Sequence, residues 1–319
     1  MAARYEDLGN GVYCIDTDLY RPQMAACYLV REGDEAAFVD TGTYHTIPML
    51  MEVLADLGLT AEQVRYVIPT HVHLDHAGGA GELMARCPNA TMLVHPKGAP
   101  HMIDPSRLQA GATAVYGEEG FAKDYGKLIP VPEERVVIAQ DGQAIDLNGR
   151  TLMFIDTPGH ANHHGCIFDE QSRYCFTGDT FGIAYREFVT DRGAWIFAPT
   201  TPVAFSPQDW QRSLDKLAAL NPAAMLLTHY GRVTDVQGLL PTLRASVENL
   251  AQLALAEENA PERRVDTLKE RIFCTWLEEI VAHGVSLPER DSRELLAVDA
   301  TLNAQGLDVW LQRRAKAKT

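Results

Sequence analysis

No apolar run in this chain approaches the ~18 residues that a membrane span requires, so none is expected. Cysteine is sparse: six residues, at 14, 27, 87, 166, 175 and 274, with no C-x-x-C pair. That scatter argues against a disulfide framework and fits reduced, mostly buried thiols in a cytoplasmic protein. Cys166 and Cys175, on neighbouring strand-like runs, are the one pair for which a disulfide is an alternative. Positive charge is also short, with 28 Lys and Arg against 43 Asp and Glu, for a net charge of −15. A chain so acidic is poorly suited to phosphate backbones, so a nucleic-acid substrate is not expected. The start, Met1-Ala2-Ala3-Arg4-Tyr5-Glu6-Asp7, has no apolar signal core, so no secretory leader is expected. No internal repeat or low-complexity tract occurs.

What is present is concentrated in one stretch, Thr70-His71-Val72-His73-Leu74-Asp75-His76-Ala77-Gly78-Gly79. It sets three imidazoles and a carboxylate within six positions, although only 11 of 319 residues are His. Imidazole nitrogen and carboxylate oxygen are the donors that zinc and iron prefer. His71 and His73 alternate at a period of two, so an extended segment points both the same way. Asp75 and His76 follow where the chain must turn. Three further candidates each sit just past a short apolar run: His160 in Thr157-Pro158-Gly159-His160, Asp179 in Phe176-Thr177-Gly178-Asp179, and His229 in Leu226-Leu227-Thr228-His229-Tyr230. Strand ends are where a rigid sheet presents side chains to a shared cleft.

The H-x-H-x-D-H loop, the later G-H, the G-D and the final T-H occur in the order of the metallo-β-lactamase superfamily, and the chain resembles the complete two-metal form of that family over roughly residues 10–235. Asp40-Thr41-Gly42 after Ala37-Phe38-Val39 matches an early family Asp that braces the metal loop. The resemblance implies that His71, His73 and His160 hold one metal, that Asp75, His76 and His229 hold a second, and that Asp179 bridges them with a hydroxide. It also implies a four-layer αββα sandwich; periodicity alone gives only a mixed α/β sheet protein. The implied cofactors are two divalent ions, zinc first, with iron or manganese accepted by the same donors.

The chemistry follows from charge. A bound dication lowers the pKa of water from 15.7 to about 7. Two dications less Asp75, Asp179 and one hydroxide leave roughly +1, which favours a tetrahedral oxyanion over a neutral carbonyl. The expected activity is hydroxide attack on an ester, thioester or lactone carbonyl of a small-molecule substrate, with Asp75 passing a proton to the leaving group; a phosphodiester is the less favoured substrate. True metallo-β-lactamases generally lack a bridging carboxylate at the position of Asp179, so antibiotic cleavage is not implied. Acyl-homoserine lactonases commonly carry Tyr three residues after that Asp, where this chain has Gly182. A glutathione-binding set of the glyoxalase II kind is not identifiable. The alternative from another class is a diiron oxygen-binding or redox protein on the same donors. Flavodiiron members of that class carry a flavodoxin domain, for which the C-terminal segment is too short and too helical.

Strands are predicted at Val12–Ile15, Ala26–Val30, Ala36–Val39, Val64–Ile68, Thr91–His95, 135–139, 143–147, 151–156, 164–169 and 173–177. Helices are predicted over Thr46–Leu57 and Gly81–Arg86, with loop and short helix over 97–130. Residues 1–235 form the expected catalytic domain. Residues 236–319 read as a helical extension of two or three helices, at 239–255, 263–282 and 293–314: either a lid or homodimer surface, or a packing appendage. His164 is a candidate for orienting a ligand. His163 is read with it as an orienting or an ordinary His, and His95 as packing. His45 and Tyr44 are read as pocket rim or as solvent-exposed, and His101 and His283 as surface residues. The aromatic, proline-rich stretch 181–207 is expected to wall the substrate pocket with Tyr185, Arg186, Trp195 and Phe197, or else to pack Trp195 and Phe197 beneath it.

Overall fold

A computed structural model describes residues 5–200 and 204–318; residues 1–4 of the N-terminal start and Pro202 lie outside the described residues. The chain divides into two compact units, one of residues 1–156, 163–178 and 221–234, the other of 157–162, 179–220 and 235–319.

Among the described residues the first unit carries all the strands. Seven form one sheet in sequence order: β1 (Tyr5–Asp7), β2 (Val12–Asp16), β3 (Ala26–Glu32), β4 (Glu35–Val39), β5 (Val64–Ile68), β6 (Thr91–Val94) and β7 (Val136–Ile138). Six form the second sheet: β8 (Ala144–Leu147), β9 (Arg150–Asp156), β10 (Gly165–Asp169), β11 (Tyr174–Gly178), β12 (Ala224–Leu227) and β13 (Gly231–Val233), in the order β13-β12-β11-β10-β9-β8. Residues of β2, β3 and β4 alternate between two cores. Cys14, Tyr28, Val30, Ala37 and Val39 meet Leu152, Phe154, Ile167, Phe176 and Leu226 between the sheets. Ile15, Cys27, Leu29, Ala36 and Phe38 face the helices α1 (Ile47–Asp56) and α3 (Ala80–Arg86). Burial on both faces explains why these strands read as unbroken apolar runs rather than alternating ones. Two sheets with flanking helices and a helical C-terminal region are the fold class that the sequence predicts.

Short α2 (Leu74–Ala77) ends the His-rich segment, followed by α4 (Ala99–Ile103) and α5 (Ser106–Asp124). α5 replaces most of the loop expected over 97–130. Its buried side chain is Phe121, so it has no apolar stripe to betray it, and Gly117 at φ +74° breaks it midway. The six cysteines are free. Burial and then the Asp40 carboxylate push the Cys27 thiol well above its ordinary range.

The second unit contains α6 (Pro207–Ala219), α7 (Val236–Ala256), α8 (Arg264–Ala282), α9 (Glu289–Leu295) and α10 (Ala297–Lys318). The sequence reading has no counterpart to α6; its start signals are Pro207 at the first position and the Ser206 side chain, which accepts from Asp209 N. The helical tail has four helices rather than two or three, because the chain leaves helical geometry at Leu296, between α9 and α10.

The first unit is pinned by a buried charge pair. Arg150, at the start of β9, donates to both carboxylate oxygens of Asp169 at the end of β10, its Nε lying 3.0 Å from Oδ1. Its Nη1 also donates to the Asn10 carbonyl at 2.6 Å. Both side chains are fully buried. Removing one partner leaves the other charge stranded, at a cost of about 3–5 kcal/mol, whereas replacing both with apolar groups is often neutral. We expect Arg150→Ala to lose about that much stability in urea unfolding, and Arg150→Met with Asp169→Leu to recover most of it. Equal losses for the single and double variants would show that packing, not charge, governs this position.

Candidate metal centre

The parallel strands β4 and β5 end side by side, with Val39 opposite Ile68. β4 runs into Asp40, held at φ +57°, a region in which Asp is better tolerated than most residues. β5 runs into the His-rich loop. The Asp40 carboxylate is buried and gathers the loop around itself. Oδ1 accepts from Thr70 N at 2.8 Å and Thr70 Oγ1 at 2.9 Å. Oδ2 lies 2.8 Å from His76 Nδ1 and accepts from Thr228 Oγ1 at 2.9 Å. Thr228 follows β12, so one carboxylate fastens the His71–His76 loop to the segment that carries His229.

Around that hub the donors converge. Asp75 Oδ2 lies 3.2 Å from His229 Nε2 and 3.5 Å from His76 Nε2. One donor atom from each of Asp75, His76 and His229 lies within 4.8 Å of the others. His71 Nε2 and His73 Nδ1 are 2.7 Å apart. The outer ring nitrogens are occupied: His71 Nδ1 is 3.1 Å from Thr70 Oγ1, and His229 Nδ1 is 2.8 Å from the Met24 carbonyl. His164 is buried with its ring centroid 4.8 Å from that of His71. Gly178 makes room for it; at φ +46° a Cβ there would lie 2.5 Å from Thr70 Oγ1 and 2.7 Å from His164 Nε2.

The second unit holds the other two expected ligands together. His160 Nε2 lies 3.2 Å from Asp179 Oδ2, and His160 Nδ1 lies 2.8 Å from the Pro199 carbonyl. Gly159, at φ +140°, admits the Trp210 backbone where any Cβ would clash at 2.4 Å. The Trp210 ring then stands edge-on to His160 at 5.7 Å.

The expected pocket wall is placed differently. Tyr185 is fully buried and donates to Asp299 at 3.2 Å. Trp195 donates to Glu279 at 3.2 Å, and Phe197 packs against Trp276 at 4.4 Å between centroids. For these three the structure gives packing rather than a substrate-facing wall, because large rings find burial against α8 and α10. Arg186 is exposed. His95 is bound to Asp156 at 3.1 Å, as a packing residue would be, and His45 and His283 reach the backbone carbonyls of Ala122 and Gly193. His163, half-buried, accepts from Val72 N at 3.4 Å.

The sequence reading passes over Thr70 and Thr228 as partners of Asp40, though the repeated Thr-His pairs 70–71 and 228–229 are their signal. It also misses Tyr20 and Tyr125, whose hydroxyls are 3.1 Å apart. Tyr125 packs on Leu74, next to Asp75. Burial pushes the Tyr20 phenol up to about 12, and burial followed by the Asp75 charge raises Tyr125 further, so both are phenols at neutral pH.

The metallo-beta-lactamase superfamily model matches residues 20–229, about two thirds of the chain, and the chain belongs to that superfamily. It is 26% identical over 241 residues to the metallo-beta-lactamase fold-containing protein ST1585 of Sulfurisphaera tokodaii, covering 74% of this chain and 81% of that one. The solved structure of ST1585 superposes with a TM-score of 0.60, at 22% identity, over 76% of this chain and 86% of that one. TTHA1429 of Thermus thermophilus, a metallo-beta-lactamase family protein, superposes with a TM-score of 0.64 at 22% identity, over 97% of this chain and 95% of that one. An atrochrysone carboxyl ACP thioesterase of Aspergillus fumigatus is 27% identical over 154 residues, 48% of this chain and 38% of that protein. The match thus spans well under half the length of that thioesterase. Among the described residues no helix is long and apolar enough to cross a membrane.

Asp40 satisfies buried donors from three segments, and each orphaned donor costs about 1–3 kcal/mol. Asp40→Asn is expected to lower stability by about 3 kcal/mol or more, and Thr228→Val by about 1 kcal/mol, read from denaturant midpoints. An Asp40→Asn protein as stable as the parent would show that the carboxylate is not the hub.

Proposed function

We propose that this chain is a dinuclear metal-dependent hydrolase acting on the carbonyl of a small ester, thioester or lactone, with a thioester the first choice. The observation that carries the reading is the direction of the imidazoles. A backbone carbonyl only accepts, so His160 and His229 carry their protons on Nδ1, where Pro199 and Met24 receive them. His76 Nδ1 faces the Asp40 carboxylate in the same way. In the neutral form, the one that binds a metal, this leaves the Nε2 lone pair of each ring turned toward a carboxylate oxygen, Asp179 for His160 and Asp75 for His229 and His76. Histidines whose outer nitrogen is fixed by a carbonyl or carboxylate are the usual design of metal ligands. The donor set, imidazole nitrogen and carboxylate oxygen without thiolate, fits zinc, iron or manganese.

On this reading, as the family resemblance implies, His71, His73 and His160 would hold one ion, Asp75, His76 and His229 the other, with Asp179 as the further carboxylate ligand. Such a pair of divalent ions would supply hydroxide at neutral pH and positive charge for an oxyanion. The chain's own residues do the rest. Asp40, Thr70 and Thr228 hold the loop so that His76 keeps its orientation. Asp75, whose side chain is 27% exposed where His76 is fully buried, is the carboxylate placed to exchange a proton with a leaving group. The name of the Aspergillus fumigatus relative favours a thioester, and the net charge of −15 disfavours a polyphosphate or nucleic-acid substrate.

A diiron redox role needs an electron-transfer partner. Residues 235–318 contain no strand, so this part holds no flavodoxin-like sheet. The test is elemental analysis of protein purified without added metal, with hydrolysis of acyl thioesters followed before and after chelation. Two zinc or manganese ions per chain, and activity lost on chelation and restored by metal, are expected. Two irons with a spectrum that changes on exposure to oxygen, and no thioester hydrolysis, would overturn the proposal.

A further inference from the structure

The C-terminal helices reach a candidate metal ligand through a short chain of hydrogen bonds within the second unit. Pro199, whose carbonyl takes the His160 Nδ1 proton, has no N–H of its own, so its position depends on its neighbours. Both neighbours are held by side chains from the tail. Ala198 N donates to Ser246 Oγ of α7 at 3.0 Å. Thr200 N donates to Asn303 Oδ1 of α10 at 2.7 Å, and Thr200 Oγ1 donates to the same oxygen at 2.7 Å. Asn303 is fixed in turn, its Nδ2 donating to the Asp299 carbonyl at 2.9 Å. Ser246, Thr200 and Asn303 are all buried, so these bonds face no competition from water.

We propose that Asn303 and Ser246 are positioning residues: they clamp the Ala198–Thr200 backbone so that the Pro199 carbonyl locks the tautomer and aim of His160, and they thereby tune one of the two metal positions. The proposal rests on His160 being a metal ligand, as in the function proposed above. It gives the tail a role distinct from a lid, a dimer surface or a packing appendage. His71, His76 and His229 are oriented by Thr70, Asp40 and Met24, which lie in the first unit, so the clamp acts on His160 alone among these rings.

The selectivity is the test. Zinc affinity of each equivalent is measured by competition with a chromophoric chelator on the full chain, for the parent, Asn303→Ala, Ser246→Ala and Thr200→Ser. The Asn303→Ala and Ser246→Ala proteins are expected to bind one equivalent about 10–100-fold more weakly, with the other unchanged. Thr200→Ser, which keeps both donors, is expected to match the parent. Nitrogen-15 NMR of the metal-free protein reads the same effect without metal: the His160 Nδ1–H signal should be slow to exchange in the parent and lost in Asn303→Ala. Ser246→Ala, the milder change, serves if Asn303→Ala does not fold. Two zinc sites of parental affinity in these variants would overturn the clamp while leaving the hydrolase reading intact. Equal weakening of both sites alongside a matching fall in thermal stability would reduce the clamp to packing. A parent chain that binds no zinc, iron or manganese would overturn both.

Discussion

One buried carboxylate organises the ligand-bearing face of the first unit. Asp40 sits where two parallel strands end, and four donor groups from Thr70, His76 and Thr228 meet its two oxygens. Burying a carboxylate costs several kcal/mol unless its lone pairs are filled. Here they are filled by groups that also carry the site, so the cost of burying the charge and the precision of the site are the same fact. Asp40 fixes His76 directly. It fixes His71 through the Thr70 hydroxyl, and it fixes the approach to His229 through Thr228. A neutral residue at this position would leave these donors competing for fewer acceptors, and each ring would gain rotational freedom.

The same physical device recurs in the second unit with a different acceptor. His160 is oriented not by a carboxylate but by the Pro199 carbonyl, and that carbonyl is steadied by α7 and α10. A backbone acceptor carries no formal charge, so it selects the tautomer without adding to the negative charge that Asp179 already contributes beside His160. Where a carboxylate is already close, a carbonyl is the less costly way to point an imidazole. The long stretch that precedes it commits its aromatic rings to packing: Tyr185, Trp195 and Phe197 are sequestered against Asp299, Glu279 and Trp276.

The sequence made ten of the thirteen described strands and the seven candidate ligands legible because both depend on local signals, while β1, β12 and β13, of three or four residues each, are too short to stand out. β5 is predicted and found at Val64–Ile68, since Val64, Tyr66, Val67 and Ile68 favour a strand and Pro69 ends it. The ligands stand out because His is scarce and clustered. What stayed hidden depends on distant partners. α5 carries no apolar stripe, and the fate of Tyr185 is decided by Asp299, more than a hundred residues away. Nothing in the local pattern distinguishes an aromatic that lines a cavity from one that packs beneath a loop. Nor does Asn303, a polar residue on the buried face of α10 between Ala300 and Leu307, announce that its amide oxygen holds Thr200.

The division between rigid and adaptable parts follows from where the strands are buried. Sheet residues with both faces covered have no freedom to meet a ligand, so chemistry is confined to strand ends, and discrimination between substrates to the loops beyond them. In the first unit the segment between β2 and β3 has the features of such a loop. Asp18, Tyr20 and Gln23 all adopt positive φ, at 55°, 56° and 59°, conformations that cost non-glycine residues free energy. The Asp16 carboxylate offsets part of that cost by accepting from Asp18 N and Gln23 N. The result is a constrained loop that places the Met24 carbonyl on His229 and the Tyr20 hydroxyl on Tyr125, beside Asp75. A loop held this way steadies His229 at one end while its Tyr20 phenol stays half-exposed at the other, so a substitution at Tyr20 changes the surface that the loop presents without touching Asp40 or the residues that depend on it.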